Sequence, residues 1–469
     1  AYSAFGQGSV VMSQVFLGTA FIFLASDEAG CVDDQDEIDQ DCDNRVYGFY
    51  PATVVTNISA MAGLLAAIFM PFMGALVDYT SFRKQMGIIV IIPTILIQAV
   101  QIATSADTWF IMGILQAIGL ALLEIHYFLT VSYLPDLARS PQVDHETMSK
   151  FSEGFLGLQF TGQLIYLVVV VAASFALDLD TVETAQLGQL LGTLWATVCY
   201  TGAWRKFPKT TKQRHALASK HSSLFLAGFR QNWKTCVRIH QQSKALQWFF
   251  IFVCFMEAGT SAIIPVAVTY LSRVMDFDGT QIGLAFVCAL VGSIPGALFG
   301  GWMSRIWNPL YSLKLNGLAN IVITTVGTVV LVEQNDALGY IWGFLWGFVL
   351  CWFYSSEQIF YSLSMPAGQD TELSGFFVFC TIVLTWLPPL IFSVVVESGI
   401  EERWGLTALV VCQVLGFLAL LGIPAWNQVL DGAKKSLLLD IHDDDVGDQN
   451  TDAAISNAPV AAADLPVKL

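Results

Sequence analysis

Charge is what this sequence has least of. Asp, Glu, Lys and Arg make up 13% of its 469 residues, whereas 55% are hydrophobic and the mean hydropathy is +0.60. A soluble globular domain carries about 25% charged residues, so a soluble protein with a single core is excluded. Basic residues are the scarcer sign, 22 Lys and Arg against 38 Asp and Glu, and the net charge is -16. Nucleic acid is therefore not an expected partner, because phosphate binding needs basic surface. Catalytic signatures are missing too. There is no GxxxxGK[ST] phosphate loop, no HExxH zinc pair and no CxxC, and no Ser/His or Cys/His set stands in a persuasive setting. No enzyme activity, cofactor or metal is expected. No cleavable signal peptide is visible. The chain opens at Ala1, almost inside an apolar run, so a short N-terminal piece is expected to be missing.

What the sequence has instead is long apolar runs. Twelve are predicted to be helices, at 4–25, 51–77, 86–105, 108–134, 151–176, 187–204, 246–271, 279–303, 313–333, 337–363, 374–397 and 405–427. Roughly 20 residues cross a bilayer as a helix. Barrel strands would instead show as alternating segments of about 10. The expected class is an all-α membrane protein with twelve transmembrane helices in two six-helix halves. The boundaries read as 1–204 for the first half, 205–245 for a linker, 246–427 for the second half and 428–469 for a tail. The tail is acidic, Ala-rich and poor in aromatics, and reads as disordered.

Nineteen of the 22 Lys and Arg fall in the loops after even-numbered helices or in the tail, and only Arg45, Arg273 and Arg403 lie on the other side. By the positive-inside rule both termini and the 205–245 linker are expected in the cytosol. The loop at 26–50 then faces a lumen or the exterior. It holds Cys31 and Cys42, which could pair in an oxidising compartment. The other seven cysteines read as small buried hydrophobes.

Between the second and third helices stands GALVDYTSFRK, residues 74–84. Gly74 permits close helix approach, and Asp78 can accept from a facing helix N-terminus. Arg83 and Lys84 can pair with Asp78 or with lipid phosphate. Such a cluster can latch one side of a transporter. Six helices, a linker and six more, with this cluster in the second loop, resemble the major facilitator superfamily, whose halves are related by an axis along the membrane normal. Ser81 and Phe82 depart from the usual pattern. The variant, together with YLPDLAR at 133–139 and PAGQDTELSGFF at 366–377, resembles one branch: the vacuolar amino-acid effluxers named after an autophagy-related protein. The resemblance implies efflux of amino acids or similar small metabolites from an acidic vacuole, with a vacuolar or lysosomal membrane as the location. Small solute, protons and membrane lipid would be the partners of a monomer.

No Lys or Arg lies within a predicted span, but three acids do: Glu124 in helix 4, Glu257 in helix 7 and Glu357 in helix 10. An ionised carboxylate at mid-bilayer costs on the order of 2.5 kcal/mol or more, so each must be hydrated in a cavity, paired or protonated. Glu257 leads the candidates, because Gly259, Thr260, Ser261 and then Pro265 predict an interrupted helix beside it. Each acid could equally be a carboxyl bonded between helices. His126 reads as structural, since it lies two residues from Glu124 and points to another face. Asn57, Gln98, Gln159, Gln163, Asn316 and Asn320 are weaker cavity candidates. Proton-coupled symport by rocking halves is the expected mechanism. The alternatives are a plasma-membrane carrier of another solute and a non-transporting nutrient receptor on a transporter fold.

Overall fold

A computed structural model describes residues 2–32, 38–39, 42, 44–133, 145–208, 224–332, 335–365 and 370–432. Helix dominates them. Among the described residues there is no β-strand, only two isolated bridges, Val32 with Ile38 and Val46 with Phe49.

The first six helices are α1 (Tyr2–Glu28), α2 (Val54–Tyr79), α3 (Arg83–Val100), α4 (Trp109–Val131), α5 (His145–Leu177) and α6 (Thr181–Lys206). A shorter helix, α7 (Leu224–Gln242), occupies the predicted linker. Span 7 is split into α8 (Lys244–Ser261) and α9 (Ile263–Arg273), with Ala262 as the joint. Then come α10 (Gly279–Ile306), α11 (Pro309–Val330) and α12 (Asp336–Ser364). Span 11 is split as well, into α13 (Asp370–Ile382) and α14 (Leu387–Glu397), before α15 (Thr407–Leu421). Among the described residues, eleven stretches are long and apolar enough to cross a membrane. Helix α6 completes the set of twelve at 26 residues, its apolar run diluted by Thr, Gln and Gly; a capping box of Asp180 and Glu183 fixes its start.

The sets before and after α7 each pack on themselves. In the first, α1 lies against α5 and α6, and α4 against α2 and α3; in the second, α10 lies against α12, and α15 against α8 and α11. The α10–α12 seam is glycine-lined. A Cβ at Gly292, Gly296 or Gly300 would run into the carbonyls of Phe344, Phe348 and Trp352. These glycines therefore serve close packing within one set. Between the sets, α5 meets α10, and α2 meets the two halves of span 11.

Near the Cys31–Cys42 end the sets share one apolar core, which includes Phe16, Val55, Ile263, Phe286 and Phe392. The Thr56 and Ser393 hydroxyls bond across it at 2.8 Å.

Candidate functional site

A cavity of about 420 Å³ lies in the other half of the bundle, toward α7. The ends of α2 and α4 and the starts of α1 and α5 wall one side, and α8, α10, α12 and α13 wall the other. Glu124 and Glu257 both line it. Glu257 sits five residues before the α8–α9 joint at Ala262, and Thr260 Oγ1 donates to its Oε2 at 3.4 Å. Tyr354 of α12 lines the cavity with it. Glu357, one helical turn further on, is fully buried behind the wall, while its neighbour Gln358 faces the cavity. The Glu357 carboxyl meets that of Glu257 directly. No N–H or O–H among the described residues donates to either Glu357 oxygen.

Two ionised carboxylates have no proton to share, so this contact is a hydrogen bond only when one of them is protonated. Otherwise it is a repulsion at low dielectric. Tyr127, one turn along α4 from Glu124, lines the same cavity. Helices α4, α8 and α12 thus bring the three predicted acids around two tyrosines. Among the described residues lining the cavity there is no Lys, Arg or His.

The loop cluster divides. Gly74 lines the cavity and faces Phe128 of α4. The Asp78 side chain lies outside the described residues. Arg83 is buried; its guanidinium covers the Tyr133 ring at 3.7 Å and donates to the Ser132 carbonyl at 2.7 Å. Lys84 donates to the Phe207 carbonyl. The two bases at the start of α3 therefore cap the C-terminal ends of α4 and α6, where cations are favoured. Residues 134–144 of the YLPDLAR region, residues 366–369 and the tail from 433 also lie outside the described residues.

Cys31 and Cys42 form a disulfide, with Cα atoms 5.6 Å apart. His126 is enclosed away from the cavity and accepts from Trp204 Nε1 at 3.1 Å. Gln159 and Gln163 line the cavity. Gln98 instead bonds Ser13, Asn57 bonds Thr53, and Asn316 and Asn320 serve packing around Val349.

A family model described as "Vacuole effluxer Atg22 like" matches residues 1–429. The chain belongs to that family. No curated protein matches it. Among solved structures it resembles a variant of the nucleoside transporter NupG, with TM-score 0.57, 12% identity, and coverage of 91% of this chain and 100% of that one. It also resembles a major facilitator superfamily transporter, FucP, in the outward conformation, with TM-score 0.50, 13% identity, and coverage of 89% and 100%. A variant of the E. coli fucose:proton symporter FucP matches with TM-score 0.50 and 14% identity over 90% of this chain and 98% of that one. At such identities the likeness establishes the fold, and the fold is that of the major facilitators.

Several features of this Atg22-like chain escaped sequence reasoning. Tyr127 and Tyr354 join the acids, but single hydroxyls in apolar runs carry no distinctive signal. Gln231, Asn232 and Thr235 of α7 line the cavity, although 205–245 reads as a plain linker. On the far side, Glu397 at the end of α14 accepts from Arg45 Nη1 at 2.9 Å, from the Tyr50 amide at 2.9 Å and from Thr53 Oγ1 at 2.8 Å. That clasp joins the two sets across 352 positions of sequence.

Proposed function

We propose that this Atg22-like transporter moves amino acids or similar small metabolites from the vacuolar lumen to the cytosol, coupled to protons, with Glu257 as the group that cycles the proton. The convergence of Glu124, Glu257 and Glu357 in and beside one cavity supports the reading. A carboxyl pair without a basic partner is stable in such a place when it holds a proton or faces a cation. Glu257 can take a proton from an acidic compartment while it faces that side. It shares the proton with Glu357, and it can release it once the cavity faces the cytosol. A cargo ammonium can replace the proton at the same carboxylate. Glu124, across the cavity on α4, provides a second anionic wall. Rocking of the two six-helix halves, 1–204 and 246–427, would expose the cavity alternately. Asp78 would act in a latch with Gly74, Arg83 and Lys84 on the cytosolic side.

The test is uptake of a labelled amino-acid panel into proteoliposomes, with and without an imposed pH gradient. Uphill accumulation of at least one amino acid only under the gradient supports the reading. Flux that ignores the gradient overturns the coupling, and an absence of flux for every member overturns the cargo class.

A further inference from the structure

Helix α7 carries three surfaces rather than two. One is inward: Gly228 abuts the Pro71 carbonyl of α2 so closely that a Cβ would collide with it. Gln231, Asn232 and Thr235 continue this face along the cavity. About a third of a turn away lies an apolar face: Phe225, Leu226, Phe229 and Trp233 are all exposed, Leu226 to 66% and Trp233 to 72%. The third is basic, with Arg230 and Lys234 exposed and Arg238 half-buried.

Depth fixes the environment of the apolar face. Helix α2 runs on to Tyr79 beyond Pro71, which at 1.5 Å per residue is about 12 Å. The start of α7 therefore sits below the level where α2 ends. Its apolar face is also continuous with that of α2, since the Phe225 and Phe72 rings lie 6.3 Å apart and Phe69 of α2 is exposed beside them in sequence. Residues that face hydrocarbon on α2 thus have neighbours on α7. A helix with aromatics on one face and Lys and Arg beside them matches the pattern of interfacial membrane helices.

We propose that α7 is an in-plane membrane helix whose Arg230, Lys234 and Arg238 bind the headgroups of anionic phospholipid while its Phe and Trp face enters the acyl region. The charge complements a membrane surface bearing negative lipid, where each basic side chain near the surface adds roughly a factor of five in affinity. The inference does not depend on what the cavity carries.

The experiment uses the full chain reconstituted in bilayers, with spin-labelled phosphatidylserine or phosphatidylcholine as probe. The fraction of motionally restricted lipid is read by electron spin resonance. Wild-type protein is expected to prefer phosphatidylserine by at least about threefold at low salt, and to lose most of that preference near 1 M salt, where the screening length is about 3 Å. The triple variant Arg230→Gln, Lys234→Gln, Arg238→Gln should bring the ratio to near equality. The double variant Arg230→Lys, Arg238→Lys, which has Lys at all three positions, should retain it, and controls for folding. Equal restriction of the two lipids by wild type would overturn the proposal, and so would an unchanged preference in the Gln variant. Inorganic phosphate at millimolar concentration should not compete. If it erases the preference, the site belongs to a soluble anion and the membrane assignment is wrong.

Discussion

At the disulfide-bearing end, the two sets of six helices close on Phe16, Val55, Ile263 and Phe392, with Arg45 and Glu397 clasped outside them. At the end that bears α7 they enclose a cavity that holds Glu124 and Glu257. The same α2 takes part in both. Near its start it gives Val55 to the shared core and Thr56 to a bond with Ser393, and near its end it gives Met70 and Gly74 to the cavity wall. The difference is physical. Apolar contacts and one ion pair can be broken and remade without a buried charge being left behind. A buried carboxyl pair needs a proton or a cation at every stage. The closed end is thus suited to gating, and the acid-lined end to carrying something with a charge.

The largest expected effect falls on the acid-lined end. Glu257→Gln keeps shape and hydrogen-bonding capacity but cannot cycle a proton. Under a pH gradient, accumulation in proteoliposomes should fall to simple equality of cargo on the two sides, while exchange of labelled for unlabelled cargo persists. Wild-type accumulation in this variant would remove Glu257 from the coupling role and shift attention to Glu124 and Glu357.

Next in size is a wedge in the closed end. Gly283 of α10 faces the Phe16 ring and Val171 across the boundary between the sets, and a Cβ there would stand 2.7 Å from each. Gly283→Ala should therefore cost the closed arrangement about 1–3 kcal/mol. That is roughly tenfold or more in the population of the state open on that side. A Val55→Cys reporter labelled with a membrane-impermeant maleimide from the disulfide side should react correspondingly faster. An unchanged rate would mean that the two sets do not separate at this core.

How far such contrasts are legible in sequence depends on what makes each feature stand out. Twelve spans are readable because apolar runs of helix length exceed any soluble pattern. The span read at 187–204 starts six residues late, because Thr181, Glu183, Thr184 and Gln186 dilute the apolar run at the start of α6. Pro265 signals the break in span 7, which falls at Ala262, three residues earlier. The break in span 11 carries a comparable signal, Pro388 and Pro389, yet an uninterrupted apolar run hides it. Glu124, Glu257 and Glu357 stand out because a carboxyl in hydrocarbon is costly. Their meeting is invisible, because it is decided by how α4, α8 and α12 pack. Helix α7 is obscured by its three faces, since a hydrophobic period shared with a basic stripe and a polar cavity wall looks like a linker. The Arg45–Glu397 clasp leaves no local trace at all.

The clasp itself should matter less than the core beneath it. The Arg45 side chain is 43% exposed and Glu397 21% exposed, so water and salt screen the pair, and its loss costs little. Arg45→Gln should raise the Val55→Cys labelling rate only a few-fold, with high salt doing nearly the same to the protein that retains Arg45. A rise as large as that from Gly283→Ala would make the clasp, and not the apolar core, the principal seal.

The smallest effect belongs to Tyr47, whose hydroxyl donates to Glu28 Oε1 at 2.8 Å on the outer surface of the same end. Glu28 has another donor, the Trp109 indole N–H, so Tyr47→Phe leaves no buried acceptor unpaired, and the Tyr47 side chain is itself exposed to water. The pH dependence follows from its sign. Donation to the Glu28 carboxylate raises the Tyr47 phenol above its ordinary value, because ionisation would both break the bond and set two negative charges together. A raised phenol contributes its stabilisation wherever it is protonated, and loses it only as pH climbs from about 10 upward. Between about pH 5 and about pH 7 the phenol therefore keeps its proton. The Val55→Cys reporter should be labelled at the same rate in Tyr47→Phe as in the protein that keeps Tyr47, at about pH 5 and about pH 7 alike. A pH-dependent difference between the two proteins would place a proton-sensitive gate at this outer edge and would end the division between a gating face and a charge-carrying face.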